Sequence, residues 1–110
     1  MNFQSTITPT VTIADQPTRT DLEQLKELGF KAVVNLRNDG EPEQPIGTAE
    51  EGRLVTALGL DYLHVGVGPG LTSDGVDAFR SFMDKHDADK VLVHCRKGGR
   101  AAAMVLYHEA

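Results

Sequence analysis

Three segments of the chain carry apolar residues at helical spacing, and a short, mostly apolar run follows each of them. The pairs are TDLEQLKELG (20–29) with KAVVNL (31–36), TAEEGRLVTALG (48–59) with LDYLHV (60–65), and TSDGVDAFRSFMD (72–84) with KVLVH (90–94). Helices that alternate with short strands build parallel sheets covered by helices. The pattern therefore predicts an α/β fold with a mostly parallel central sheet.

Capping residues predict where these helices begin. Thr20 with Glu23, and Thr48 with Glu51, have the spacing of a capping box, in which each side chain accepts the other's backbone N–H. Residue 72 or 73 is the expected cap of the third helix.

The two ends of the chain are less regular. The β-branched run ITPTVTIA (7–14) predicts one or two edge strands that are broken at Pro9. A last helix begins near Gly99 or Arg100 and has about ten residues but no stop signal. Either the chain is cut short there or this helix simply ends it. The length of 110 residues is that of one domain, 1–110.

Composition and charge narrow the class of protein. The apolar runs are too short to span a bilayer, and the N-terminus lacks the features of a signal peptide. The single cysteine excludes an intrachain disulfide and fits the cytoplasm, which we expect as the location. A net charge of −5 argues against nucleic acid as a partner, because binding a polyanion needs a broad basic surface.

Positive charge is concentrated in one place instead, the segment VLVHCRKGGRAAA (91–103). Here an apolar strand ends at Cys95, and a loop with Gly98 and Gly99 leads into a helix. The free amides and the dipole of a helix N-terminus attract anions, and glycines allow several amides to converge on one point. The same field stabilises a thiolate. The segment therefore predicts a nucleophilic Cys95 in a loop that binds a small anionic substrate.

Three cations complete this loop. Arg100 is suited to bind two oxygens of a tetrahedral oxyanion, and Arg96 and Lys97 add attraction for an anion. The alternative is a buried, inert thiol, as most free cysteines are. That alternative leaves the basic, glycine-rich turn unexplained, so we favour the catalytic interpretation.

The loop HCRKGGR resembles the active-site loop of cysteine-dependent phosphatases and rhodaneses. Together with NLRNDGE and the elements between them, it resembles the bacterial DUF442 family, the phosphatase-like domain of beta-lactamase-hydrolase-like proteins, over roughly residues 11–107. The resemblance implies a protein-tyrosine-phosphatase-like fold. It also implies an association with sulfur metabolism, because such domains occur fused to metallo-hydrolase or sulfide-oxidising modules.

The sequence departs from the phosphatase pattern in three ways. The phosphatases have five residues between the cysteine and the arginine, whereas this chain has four between Cys95 and Arg100. Four is the loop length of rhodaneses, in which the cysteine carries a persulfide. Ala101 stands where the phosphatases have Ser or Thr. The loop GVGPGLTS, in which they carry a general-acid aspartate, has no carboxylate, so Asp74 is the nearest candidate for that acid.

Other residues receive supporting roles. Strand alternation directs His94 away from the thiol, and we expect it to hold the loop by hydrogen bonds. Arg37 is expected to pair with the carboxylates of RNDGEPEQP (37–45), where Asp39, Glu41 and Glu43 either supply the missing acid, form a rim of the site or belong to a solvated loop. The remaining histidines lack the spacing of metal ligands, so we predict no metal and no cofactor.

Three functions are compatible with these residues. The first is a phosphatase-like hydrolase that acts on a phosphate ester through a thiophosphate intermediate. The second is a sulfurtransferase that takes sulfur from a sulfane-sulfur donor as a Cys95 persulfide. The third is an anion-binding domain without catalysis. The oligomeric state is not predicted.

Overall fold

A computed structural model describes all 110 residues, which form five strands and four helices. In chain order they are β1 (Gln4–Thr6), β2 (Val11–Ala14), α1 (Arg19–Gln24), β3 (Ala32–Asn35), α2 (Thr48–Ala57), β4 (Asp61–His64), α3 (Ser73–Lys85), β5 (Val91–His94) and α4 (Gly99–Glu109). The strands make one sheet in the order β1-β2-β5-β3-β4, and only β1 is antiparallel. The predicted α/β fold with a mostly parallel sheet is confirmed.

Strand β5 lies at the centre of this sheet, between β2 and β3. Its Leu92 is in register with Thr12 on one side and Val33 on the other, and all four residues of β5 are buried. A strand buried on both faces is expected to be apolar throughout, as VLVH nearly is. This position brings the residues that follow β5 to the middle of the sheet's carboxyl edge, where sites form in open parallel sheets.

The first strand segment differs from its prediction. Strand β1 is an edge strand, but β2 is internal because it pairs with both β1 and β5, and all four of its residues are buried. Pro9 interrupts the two strands as expected, in the turn between them.

Two predicted capping boxes are wrong: other residues form the box of α1, and α2 has no side-chain cap. Helix α1 begins two residues earlier, because Thr18 accepts the Asp21 N–H at 3.1 Å while Asp21 accepts the Thr18 N–H at 2.9 Å. Helix α2 follows Gly47 without a side-chain cap, and Thr48 instead donates its hydroxyl to Asp39. Helix α3 is capped by Thr72, as predicted.

The sheet separates two apolar clusters. The larger cluster lies against α3 and α4 and contains Val93, Phe79, Met104 and Cys95. The smaller lies against α1 and α2 and includes Leu22, Val55 and Leu92. Because successive side chains of a strand point to opposite faces, β5 contributes to both clusters. None of the four helices has the length and apolar character that a membrane span requires.

Candidate active site

Cys95 follows the last residue of β5 and is buried, with only 1% of its surface exposed. Its backbone N–H donates to Ala14 O at 3.3 Å, which extends the sheet by one residue. Its Sγ accepts the backbone N–H of Gly98 at 3.0 Å. The sulfur therefore sits under the N-terminus of α4, where the helix dipole favours negative charge.

Gly98 is the residue that turns the loop into α4. Its φ of +102° is in the left-handed region, which residues with a side chain rarely adopt. A Cβ at this position would also lie 2.7 Å from Cε2 of Phe3, whose ring covers the loop. The geometry around the thiol thus requires glycine at this position.

Arg100 lies on the first turn of α4 and holds a carboxylate. Its two terminal nitrogens donate to the two oxygens of Glu41 at 2.8 and 2.7 Å, and one of them also donates to Val67 O at 3.0 Å. Hydrogen bonds to Glu41 raise the pKa of Arg100 above its ordinary value, and the nearby Cys95 sulfur adds to this increase. The same contact lowers the pKa of Glu41 from 4.5 to about 2, so Glu41 is ionised at neutral pH.

The other two cations of the loop differ in their partners. Arg96 forms an ion pair with Glu43, and its hydrogen bond lowers the pKa of that carboxyl. Glu43 is 76% exposed in its side chain and has a φ of +57°. Lys97 is exposed and makes neither a hydrogen bond nor an ion pair. The loop therefore presents one cation that is free to bind an anion.

Arg37 is fully buried and organises the acidic loop that follows β3. Its guanidinium donates to Glu41 at 3.2 Å, to Gln16 Oε1 at 2.9 Å and to the carbonyl oxygen of Pro42 at 2.6 Å. Of the carboxylates predicted to pair with Arg37, Glu41 does so, and Glu41 in turn holds Arg100. Asp39 is directed elsewhere, because it accepts the Thr48 N–H at 2.9 Å.

His94 points away from the thiol, but it does not bind the cysteine loop as expected. Its Nε2 lies 2.7 Å from Glu51 Oε2 on α2, and both side chains are 0% exposed. Glu51 also accepts Gln16 Nε2–H at 3.3 Å. The expectation of bonds to the loop is wrong because strand alternation places His94 on the opposite face of the sheet, beside α2.

Sequence reasoning missed Glu51 and Gln16 as parts of this arrangement. Glu51 lies one turn before Val55, on the buried face of α2, and a carboxylate at such a position signals a buried partner. Its capping-box spacing concealed that signal. Gln16 lies in the turn after β2 and carries no comparable signal.

Asp74 is not brought to the thiol. It is exposed on the first turn of α3, makes no hydrogen bond and does not line the cavity at Cys95. The neighbouring GPG segment is a turn, in which Gly70 and Leu71 donate to Gly68 O at 2.9 and 3.1 Å.

Two cavities adjoin at the cysteine loop. One of about 240 Å³ is lined by Cys95, Arg96, Lys97, Gly99 and Arg100. The other, of about 260 Å³, is lined by Asn2, Asp15, Gln16, Glu43, Pro45, Arg96 and Lys97. Arg96 and Lys97 belong to both, so they stand between the thiol and the second cavity. A larger cavity of about 420 Å³ opens at the start of β2 and the end of α4, and Cys95 does not line it.

The histidines outside β5 form ordinary polar contacts. His64 Nε2 lies 2.6 Å from Arg37 O, and His86 lies between Asp61 and Asp89 at 2.9 and 2.8 Å. No three His, Cys, Asp or Glu side chains are grouped as metal ligands.

The fold and the Cys–Arg loop define a phosphatase-like domain with the protein-tyrosine-phosphatase fold. The protein PTPMT1 has this fold, with a TM-score of 0.76 and 22% identity over 96% of this chain and 70% of its own. The DUF442 protein of Shewanella putrefaciens CN-32 has a TM-score of 0.83 and 30% identity over 96% of this chain and 66% of its own.

Residues 3–109 match the family described as beta-lactamase hydrolase-like protein, phosphatase-like domain, and the chain belongs to that family. It is 38% identical over 102 residues to the beta-lactamase hydrolase-like protein of Agrobacterium fabrum, covering 91% of this chain. It is 36% identical over 97 residues to that of Xylella fastidiosa, covering 86% of this chain. The chain spans 23% and 22% of the length of these relatives.

Proposed function

We propose that the chain is a cysteine-dependent phosphatase-like hydrolase that acts on a small anionic phosphate ester. The observation that carries this proposal is the position of the Cys95 sulfur, which accepts the Gly98 N–H at 3.0 Å beneath the start of α4, with Arg100 beside it. A thiolate there is stabilised by the Gly98 N–H and by the helix dipole, and Cys95 lines the cavity together with Arg100.

In the proposed reaction, Cys95 Sγ attacks phosphorus and forms an S–P bond while the ester P–O bond breaks. The amides of residues 96–100 and the guanidinium of Arg100 hold the non-bridging oxygens, whose charge they stabilise. Water then attacks the thiophosphate, which releases phosphate and regenerates the thiolate. Asp74 has no step in this scheme, because it lies outside the cavity.

Glu41 limits the ways in which Arg100 can bind phosphate. Its carboxylate engages both terminal nitrogens of Arg100, so an incoming phosphate must either displace it or bind through Arg100 Nε and the loop amides. Because Arg37 also holds Glu41, we expect the carboxylate to stay in place and to orient Arg100 rather than to leave.

The test is hydrolysis of p-nitrophenyl phosphate, whose leaving group needs little protonation. Cys95→Ser should lower turnover by at least about 10³-fold, because an alcohol replaces the thiolate nucleophile. Ala103→Ser, on the exposed side of α4, is the matched control and should turn over like the wild type. Absence of wild-type turnover above buffer would refute the proposal.

Sulfur transfer is the second candidate, and the four residues between Cys95 and Arg100 favour it, since this is the rhodanese loop length. If the wild type does not hydrolyse the phosphate ester but gains the mass of one sulfur atom from thiosulfate, Cys95 carries a persulfide. If only thermal stabilisation by phosphate or sulfate is observed, the domain binds anions without catalysis.

A further inference from the structure

No carboxyl group that could protonate a departing oxygen lines the cavity at Cys95. Glu41, which contacts Arg100, has a pKa of about 2, and Arg96 holds the pKa of Glu43 below its ordinary value. The segment VGVGPGLT (65–72) between β4 and α3 contains no carboxylate. A positioned acid contributes about 10²–10⁴-fold to such reactions. A substrate suited to this site must therefore have a leaving group that departs as an anion.

The second cavity indicates what that leaving group is. No apolar side chain other than Pro45 lines it, so it does not fit an aromatic or aliphatic group. Lys97 and Arg96 stand at its boundary with the Cys95 cavity, and Lys97 has no partner in the protein. Two cations between two adjoining cavities match a substrate with an anionic group in each.

The carboxylates of the second cavity are compatible with this arrangement. Asp15 is already engaged, because it accepts the backbone N–H groups of Asn2 and Phe3 at 3.1 Å each. Glu43 is an exposed residue with a positive φ, a conformation that costs a non-glycine residue free energy. Its ion pair with Arg96 lies at the surface, where such pairs are weak, so an oxyanion can replace it.

We infer that the substrate is a phosphoric anhydride, in which the terminal phosphate lies at Cys95 and the departing phosphate lies against Lys97 and Arg96. This inference rests on the proposed cysteine-dependent hydrolase and extends its substrates from phosphate esters to phosphoric anhydrides. A phosphate group leaves readily without protonation because its second ionisation lies near neutral pH, at about 6 in a phosphomonoester, whereas an alcohol is about as weak an acid as water, near 15.7.

The reaction is balanced with groups that the site provides. The Cys95 thiolate forms an S–P bond to the terminal phosphorus, and the bridging P–O bond breaks. Its electron pair stays on the bridging oxygen, which leaves as part of the second phosphate. Water then attacks the thiophosphate, phosphate departs, and the thiolate is restored with release of one proton to solvent.

The test compares kcat/KM for inorganic pyrophosphate, p-nitrophenyl phosphate and glycerol 3-phosphate with the same protein. We expect turnover of the first two and at least about 10²-fold less for the third, whose leaving group needs an acid. Turnover of p-nitrophenyl phosphate without turnover of pyrophosphate would overturn the substrate class but leave the hydrolase intact. Turnover of neither would overturn the proposed function itself.

A variant locates the second phosphate. Lys97→Ala should raise KM for pyrophosphate about tenfold more than KM for p-nitrophenyl phosphate, because only pyrophosphate has a group in the second cavity. Lys26→Ala, which removes an exposed cation from the segment after α1, is the matched control and should change neither KM. Equal effects of Lys97→Ala on both substrates would contradict the assigned position.

Discussion

The two faces of the sheet are covered in the same way, each by two helices, yet they bury different chemistry. The face under α3 and α4 is apolar apart from Cys95, the group that we propose as the nucleophile. The face under α1 and α2 buries a carboxylate and an imidazole, Glu51 and His94, in hydrogen-bonding contact. His94 and Cys95 are consecutive residues, so the imidazole and the thiol point to opposite faces of the sheet.

A chain of side-chain hydrogen bonds joins the two faces around the carboxyl edge of the sheet. It runs from Glu51 through Gln16 and Arg37 to Glu41, and from there to Arg100. Buried polar groups are costly unless every member has a partner, and when they do, they fix one arrangement. The comparison shows that the side chains holding Arg100 come from the acidic loop after β3 and, through Gln16, from the opposite face of the sheet.

The largest effect on stability is expected from Glu51→Ala. It removes the hydrogen-bond partner of the fully buried His94 and of Gln16, and each buried polar group left without its partner costs about 1–3 kcal/mol of unfolding free energy. Urea unfolding measures the loss. Glu50→Ala is the control, since its ion pair with Arg19 is exposed and such pairs contribute at most about 1 kcal/mol. A loss below about 1 kcal/mol of unfolding free energy for Glu51→Ala would contradict the stabilising role of the buried Glu51–His94 contact.

A smaller loss of stability is expected from Gly98→Ala, in the loop that follows Cys95. A side chain in the left-handed region, and close to the Phe3 ring, should cost about 1–3 kcal/mol. Gly99→Ala is the matched control: its Cβ meets no atom within 4 Å, and within a helix alanine is favoured by about 0.5–1 kcal/mol. Thermal denaturation should thus shift in opposite directions for these neighbours. Equal shifts would show that the loop tolerates a side chain at both positions.

The third effect concerns the link between the faces and depends on pH. The Glu41 pKa is lowered from 4.5 to about 2, so its stabilising contribution is complete above about pH 4.5 and is lost as the pH falls toward 2. In Glu41→Gln this contribution is absent at every pH. The stability difference between wild type and variant, measured by urea unfolding, should therefore shrink on acidification through this window. A difference that stays constant from pH 6 to pH 2.5 would contradict the assigned role of Glu41.

The sequence by itself determined the alternation of helices and strands, the central apolar strand VLVH and the position of Cys95 at its end. These features follow from the spacing of apolar residues and from the positions of glycines, both of which are local properties of the sequence. The cap of α1 was misplaced because Thr18 and Asp21 form the box, and that of α2 because Thr48 and Glu51 have other partners. Spacing states which contacts are possible, whereas competition among partners decides which form.

Only the tertiary structure decided how the loop residues are held. Glu41 lies 59 positions from Arg100, and Glu51 lies 43 positions from His94, yet each pair is in hydrogen-bonding contact. No local pattern encodes such pairs, because they depend on the strand order that places β3 and β5 side by side and on the helix that covers each face. The cysteine that we propose as the nucleophile could be identified from the sequence, whereas the hydrogen-bond network that holds Arg100 depends on packing.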